Sequence, residues 1–303
     1  MRQTCLNMVY ELAKQDRRVV FIGSDLGIGT LKQFKAEMPD RYFMEGICEQ
    51  ALVGLCAGLA LEGKIVYFNT IATFITRRCF DQIAIDLCLH NVPVRLIGSG
   101  GGMVYAPLGP THLATEDIAI MRALPNMTIV APADATEMRR FMTTSVNPPG
   151  PIYIRLGKGG DPIVTSADQQ FALGKTYRLH AGNDVLILST GICAKIALDA
   201  ATTRSGVGVI HVPTIKPLDA AAILAAVAKA KVVVTIEEHT LPGGFGSAIA
   251  ELILEAGLTP RFKRLGIPDV FPDKYGSQAS LLEYYGITAA NLTKTIQQLW
   301  ANS

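Results

Sequence analysis

Short apolar runs rich in β-branched residues recur along this chain with helical stretches between them. That order limits the fold more than any other feature of the sequence. The runs are VVFIG from Val19, KIVYF from Lys64, VRLIG from Val94, TIVAP from Thr128 and IYIRL from Ile152, then DVLILST from Asp184, GVGVIHV from Gly206 and KVVVTIEE from Lys231. A strand with one wet face alternates apolar and polar residues; these do not, so both faces are covered. The segments Ala51–Leu61, Asp81–Leu89, Glu116–Ala123, Thr136–Ser145, Ala194–Thr203, Ala220–Ala228 and Ser247–Glu255 read as the covering helices. Strand alternating with helix predicts an α/β protein built on mainly parallel, doubly wound sheets. At 303 residues the chain is long for one core, so two domains are expected. The Gly-rich, polar stretch Gly157–Lys175 separates the two strand–helix series, and the boundary is placed there.

Hydrophobic residues make up 49% of the chain and charged ones 18%, a composition that buries a core and excludes disorder. A net charge of +2 gives no footprint for nucleic acid or an acidic membrane. No apolar run reaches the ~18 residues of a membrane span, and MRQTCLNMVYELAKQDRR reads as an amphipathic helix, not a signal peptide. The six cysteines, Cys5, Cys48, Cys56, Cys79, Cys88 and Cys193, form no C-x-x-C pair. They read as buried thiols of a cytoplasmic protein.

Four clusters carry candidate chemistry. In GICEQALVGLCAGLALEG, Glu49 stands at the mouth of a helix rich in Gly and Ala. Such an acid is costly without a partner or a task, yet from spacing alone a first-turn glutamate favoured by the helix dipole is the commoner explanation. In APLGPTHLATEDIAIMRALPNM, His112 follows a Gly-Pro turn, and Glu116 and Asp117 read as surface acids of a helix start. His112 is either a backbone-bonded helix-entry histidine or a site residue. In YFNTIATFITRRCFDQI, Phe68, Phe74 and Phe80 flank the basic pair Arg77 and Arg78; each is core or, at a strand–helix junction, a platform for a ring ligand. In YIRLGKGGDP, Arg155 and Lys158 follow a strand, where they either greet a phosphate or stand free on the surface. No H-x-x-x-H, HExxH, phosphate-loop or serine-elbow pattern is present.

In this order the clusters resemble the C-terminal half of transketolase and of its relative 1-deoxy-xylulose-5-phosphate synthase. VVFIGSDLG, DRYFMEGICEQALVGLCAGLAL, TFITRRCFDQI, GPTHLATEDIAIMRALPNM and VAPADATEM are similar to the family's pyrimidine-binding domain; DVLILSTG, EEHTLPGGFGSAIAELI and YYGI are similar to its C-terminal domain. The resemblance implies a pyrimidine-binding domain at 1–165, a linker at 166–174 and a transketolase C-terminal-like domain at 175–303. It also implies thiamine diphosphate as cofactor, with Glu49 exchanging a proton with N1′ of the aminopyrimidine and Phe74 stacking on that ring. His112 would face the sugar oxygens, and Lys158, Arg155 and Arg2 would meet the substrate's phosphate.

The chain departs from the family at two substrate positions. Leu108 stands where an acid usually reads hydroxyl groups, and Lys158 stands where an arginine usually forks a phosphate. Leu108 is expected to be buried. Both changes point to a non-standard sugar or sugar phosphate. The family's G-D-G…N motif, which holds magnesium and the diphosphate, has no counterpart in the sequence. The resemblance therefore implies one subunit of a split transketolase, self-associating and joined to a second subunit that carries the diphosphate-binding domain and the magnesium ligands, as α2β2. The alternatives are a β subunit of a 2-oxo-acid dehydrogenase or decarboxylase, against which GPTH and RALPNM argue, and a non-catalytic scaffold subunit.

Overall fold

The computed structural model describes residues 1–24, 29 and 31–301. Residues 25–27, within the quoted VVFIGSDLG, lie outside the described residues. Strands β1 to β12 are Val19–Gly23, Tyr42–Met44, Ile65–Ile71, Val94–Ser99, Thr128–Val130, Ile152–Leu156, Tyr177–His180, Val185–Ser189, Val207–His211, Thr214–Lys216, Val232–Thr240 and Arg261–Ile267. They form a seven-stranded sheet in the order β10-β5-β6-β4-β3-β1-β2 and a five-stranded sheet in the order β12-β11-β8-β9-β7. Every neighbouring pair is parallel except β10 with β5 and β7 with β9. The mainly parallel α/β architecture expected from the apolar runs is therefore present in both halves.

Each apolar run forms a strand, and β1, β3, β4, β6, β8 and β9 are buried at every position. The covering helices start and stop close to expectation, for example Glu49–Leu61 and Phe245–Glu255. One region differs. The stretch expected as a helix from Asp81 begins at Phe74, and its turns at Phe74–Arg78 and Ile83–Leu89 are π-helical. Wide turns of this kind break the 3.6-residue period on which helix reading rests and gather at functional sites.

The two halves interlock. Strand β10 comes from beyond the linker yet joins the edge of the first sheet. One apolar cluster runs from Val20, Phe68 and Ile75 through to Leu186, Val233 and Phe245. Five of the six cysteines are buried and Cys48 is exposed; all are free. Among the described residues no helix is long and apolar enough to cross a membrane.

Candidate cofactor and substrate site

Strands β1 to β6 run parallel, so their carboxyl ends share one edge of the first sheet. Ligands of doubly wound sheets bind at this edge. The helix Glu49–Leu61 starts there after β2, the π-helical stretch from Phe74 starts after β3, a glycine loop follows β4, and Lys158 follows β6.

Glu49 is the first residue of its helix and only 1% exposed. Its Oε2 accepts from Arg78 at 2.5 Å, and its Oε1 accepts from the Thr70 hydroxyl at 3.3 Å. The helix dipole favours an acid at this position, and Arg78 supplies the countercharge that a buried carboxylate needs. The same guanidinium lies 4.4 Å from the centroid of the Phe74 ring. On the other side Phe74 meets the half-buried His112 edge-on, with centroids 5.2 Å apart, and His112 Nδ1 shares a hydrogen bond with the Thr111 hydroxyl at 2.9 Å. Glu49, Arg78, Phe74 and His112 thus form one continuous line of contacts. Local sequence brought out three of the four. Arg78 was visible only as half of a basic pair, and its partner lies 29 positions away.

Beside this line, Arg77 donates to both carboxylate oxygens of Glu116 through two guanidinium nitrogens, Nη2 at 2.7 Å. The pair borders a cleft of about 500 Å³ that Thr240, Val270 and Phe271 of the second half also line.

The basic candidates divide. Lys158 is exposed with no ion-pair or hydrogen-bond partner among the described residues. Arg2 is exposed at the start of its helix. The Met1 ammonium pairs with Asp161 at 3.6 Å, which sets that helix start against the loop bearing Lys158. Arg155 is placed differently from either reading the sequence offered. It is buried, donating to Asp117 at 2.7 and 3.2 Å, to the Ala114 carbonyl at 3.3 Å and to the Glu238 carbonyl at 2.9 Å. Asp117, expected as a surface acid, is fully buried, and the Tyr153 hydroxyl donates to it as well. Burial pushes the Asp117 carboxyl up, but the charges of Arg155 and then His239 outweigh it and hold it below the usual carboxylate range. Leu108 is also not buried; it is 49% exposed.

The arrangement fits the aminopyrimidine half of a thiamine cofactor. A buried acid sits beside a half-buried aromatic face, and the Thr73 hydroxyl, next in the chain to Phe74, is buried without a hydrogen-bond partner.

Two mainly parallel sheets in one chain, with the candidate groups Glu49, Phe74 and His112 at the carboxyl edge of the first, define a two-domain α/β protein with a candidate site at a strand edge. Two family descriptions match: Transketolase, pyrimidine binding domain, over residues 1–160, and Transketolase, C-terminal domain, over residues 174–292. The chain belongs to the transketolase family. It is 34% identical to the 6-deoxy-6-sulfo-D-fructose transketolase subunit SqwH of Clostridium sp. (strain MSTE9), over 99% of this chain and 94% of that protein. It is also 34% identical to an apulose-4-phosphate transketolase subunit of Actinobacillus succinogenes, over 90% of this chain and 89% of that protein. Among solved structures it is similar to a split gene transketolase captured as an inactive β4 tetramer, with a TM-score of 0.89, 34% identity and coverage of 98% and 97% of the two chains.

Proposed function

We propose that this chain is the pyrimidine-domain subunit of a two-subunit transketolase that moves a two-carbon ketol unit from a ketose to an aldose of non-standard type. The observation that carries the reading is the buried, arginine-paired Glu49 in line with Phe74 and His112. When bound, thiamine diphosphate supplies the nucleophilic carbon that cleaves and re-forms the bond beside the substrate carbonyl. Glu49 holds and exchanges a proton with the ring nitrogen it faces. Its burial excludes water from that exchange. Phe74 orients the ring by stacking, and His112 donates to the oxygens of the reacting sugar. Lys158 and Arg2 attract an anionic end of the substrate from the solvent side. Arg155, bound to Asp117, shapes the floor of the site and does not face the substrate.

The second subunit supplies the diphosphate cradle and the magnesium ligands, two copies of each chain making the working unit. The division of the chain into 1–165 and 175–303 around the linker 166–174 belongs to the same proposal. Calorimetric titration tests it. The lone chain should bind thiamine diphosphate with magnesium weakly, and addition of a diphosphate-domain subunit should restore tight binding and ketol transfer. Micromolar binding by the lone chain would overturn the split site.

A further inference from the structure

The loop after β4 carries Leu108, Thr111 and His112, and its base is closed by a pair of backbone hydrogen bonds. The Gly102 N–H donates to the Ala114 carbonyl at 2.9 Å, and the Ala114 N–H donates to the Gly102 carbonyl at 3.0 Å. By sequence the loop belongs to the first half, but its anchors come from the second. Met103, Ala106 and Leu113 are fully buried in one cluster with Val185, Ile187, Val234 and Ile236. The Met103 N–H donates to Glu238 Oε1 at 2.8 Å, and the same oxygen accepts from Gln278 at 2.9 Å. The Thr240 N–H donates to the Thr115 carbonyl at 2.7 Å. Strand β11 therefore runs along the base of the histidine loop.

The glycine at 102 is part of the fit. Its φ is +69°, and a Cβ there would overlap the Glu238 carboxyl. At the loop tip a Cβ on Gly109 would lie 2.7 Å from a ring carbon of Tyr275, so this aromatic of the second half also lies against the chain next to Leu108. A buried carboxylate that accepts a backbone N–H makes a strong, directional bond, and removal of the acceptor leaves that N–H orphaned in the interior.

We propose that Glu238 is a positioning residue for His112: through its bond to Met103 it fixes the base of loop 103–113, so the C-terminal domain sets the geometry of the substrate histidine. The proposal rests on the reading of His112 as a site residue, but its test does not depend on activity.

Hydrogen–deuterium exchange on the full chain, followed by mass spectrometry, compares peptides covering 100–115 with peptides covering β1 and β3. Glu238→Asp keeps the charge opposite Arg155 but withdraws the carboxylate from Met103. It should speed exchange in the loop about tenfold, the effect of one lost buried hydrogen bond, and leave β1 and β3 unchanged. Glu238→Gln keeps an acceptor oxygen at the same reach and should hold loop exchange within about twofold of wild type. Where Glu238→Ala folds, it should behave like the aspartate variant; where it does not, the aspartate and glutamine pair decides. Unchanged loop exchange in a folded Glu238→Asp variant would overturn the proposal. So would acceleration spread evenly over loop, β1 and β3, which marks Glu238 as general domain glue. In the reconstituted enzyme, Glu238→Asp should lower kcat with little change in cofactor affinity. Failure of ketol transfer altogether would count against the proposed activity and leave the exchange result standing.

Discussion

Arg78 donates to Glu49 at 2.5 Å and at the same time lays its guanidinium 4.4 Å from the centroid of the Phe74 ring. One cation thus covers both groups that a heterocycle would need, the buried acid and the aromatic face. Arg78 is 39% exposed and Glu49 only 1%, so the arginine is the solvent-side member of the pair.

That asymmetry predicts unequal effects on stability. Arg78→Met leaves a buried carboxylate without its countercharge and should cost on the order of 1 kcal/mol, less than for a fully buried pair because the arginine is partly solvated. For a chain of this size that is a fall in Tm of about 1–2 °C. Glu49→Gln leaves only a partly exposed cation and should be close to neutral. The double variant should match Glu49→Gln, which a double-mutant cycle in urea resolves. No loss of stability in Arg78→Met would mean that Glu49 finds its countercharge elsewhere.

Turnover should respond the other way. Glu49→Gln keeps the size of the side chain and a hydrogen-bonding oxygen but cannot exchange a proton. Ketol transfer by the reconstituted enzyme should fall by ~10²-fold or more, the usual scale of an acid–base contribution. Circular dichroism should stay unchanged. Near-normal turnover would return Glu49 to the role of a helix-start acid.

Arg155 and Asp117 form a buried pair within the first half, and Arg155 carries it to the second by donating to the Glu238 carbonyl. Burial lowers the Arg155 pKa, but the neighbouring Asp117 charge outweighs it and the net shift is upward. Arg155→Met leaves the buried Asp117 charge without its arginine countercharge and should destabilise the protein by about 3–5 kcal/mol. The paired change Arg155→Met with Asp117→Asn should recover a substantial part of that loss. Denaturant unfolding of both variants checks it; equal loss in both would assign the cost to packing and not to charge.

The adjacent carboxyls of β11 give the joint a pH signature. Burial pushes Glu237 and Glu238 from an ordinary 4.5 up to about 7. Opposing this, Glu237 accepts from the Gly246 and Phe245 amides and faces Arg155 and Arg264; Glu238 faces Arg155 and accepts from Gln278 and Met103. The nearby Asp117 charge pushes Glu238 further up. A folded pKa above the unfolded one means that the folded state binds more protons between 4.5 and about 7. Stability is then greatest below the unfolded pKa and is lost as pH rises through the folded one. Each carboxyl contributes on the order of 3 kcal/mol to the total change across this range. His239 works against it, since burial lowers its pKa below 6.5 and its neutral form is favoured as pH rises. Glu237→Gln with Glu238→Gln should flatten the decline measured between about pH 5 and about pH 8. An identical slope in wild type and variant would show that neither carboxyl carries the shift.

Fold and site were not equally legible. The central strands declared themselves because parallel strands covered on both faces must be apolar throughout. The edges did not: β12 reads RFKRLGI, with Arg261 and Lys263 turned to solvent, and β10 is three residues joined antiparallel from the other half of the chain. At the site, Glu49 and His112 stood out by position, and Phe74 by its junction. Arg155 and Asp117 were misread together. Each looks solvated by itself, and only a pairing across 38 positions buries them both. Leu108 was expected inside because leucine usually is; it sits at a loop tip whose supports, Tyr275 and β11, lie far along the chain.

The substrate end of the site gives the last prediction. Leu108 is half exposed on the histidine loop and offers no acceptor, so a sugar hydroxyl brought against it would lose its water without gaining a bond. The preferred sugar should lack that hydroxyl, carry it inverted or turn it away. Lys158 offers a compact, exposed cation with no partner among the described residues, which attracts an anionic group but imposes little geometry. The reconstituted enzyme should therefore favour an anionic, non-standard sugar over xylulose 5-phosphate with ribose 5-phosphate. Lys158→Ala should raise KM for the anionic substrate roughly tenfold while leaving kcat close to wild type, as loss of uniform binding does. Leu108→Asp should shift kcat/KM toward the standard pair. On the role proposed for the imidazole, at the reacting oxygens and not the hydroxyl pattern, His112→Ala should abolish transfer with every sugar. Steady-state kinetics over a sugar panel decides the matter. Efficient use of the standard pair by the wild type, with Leu108→Asp without effect, would show that substrate choice is made elsewhere in the assembled enzyme.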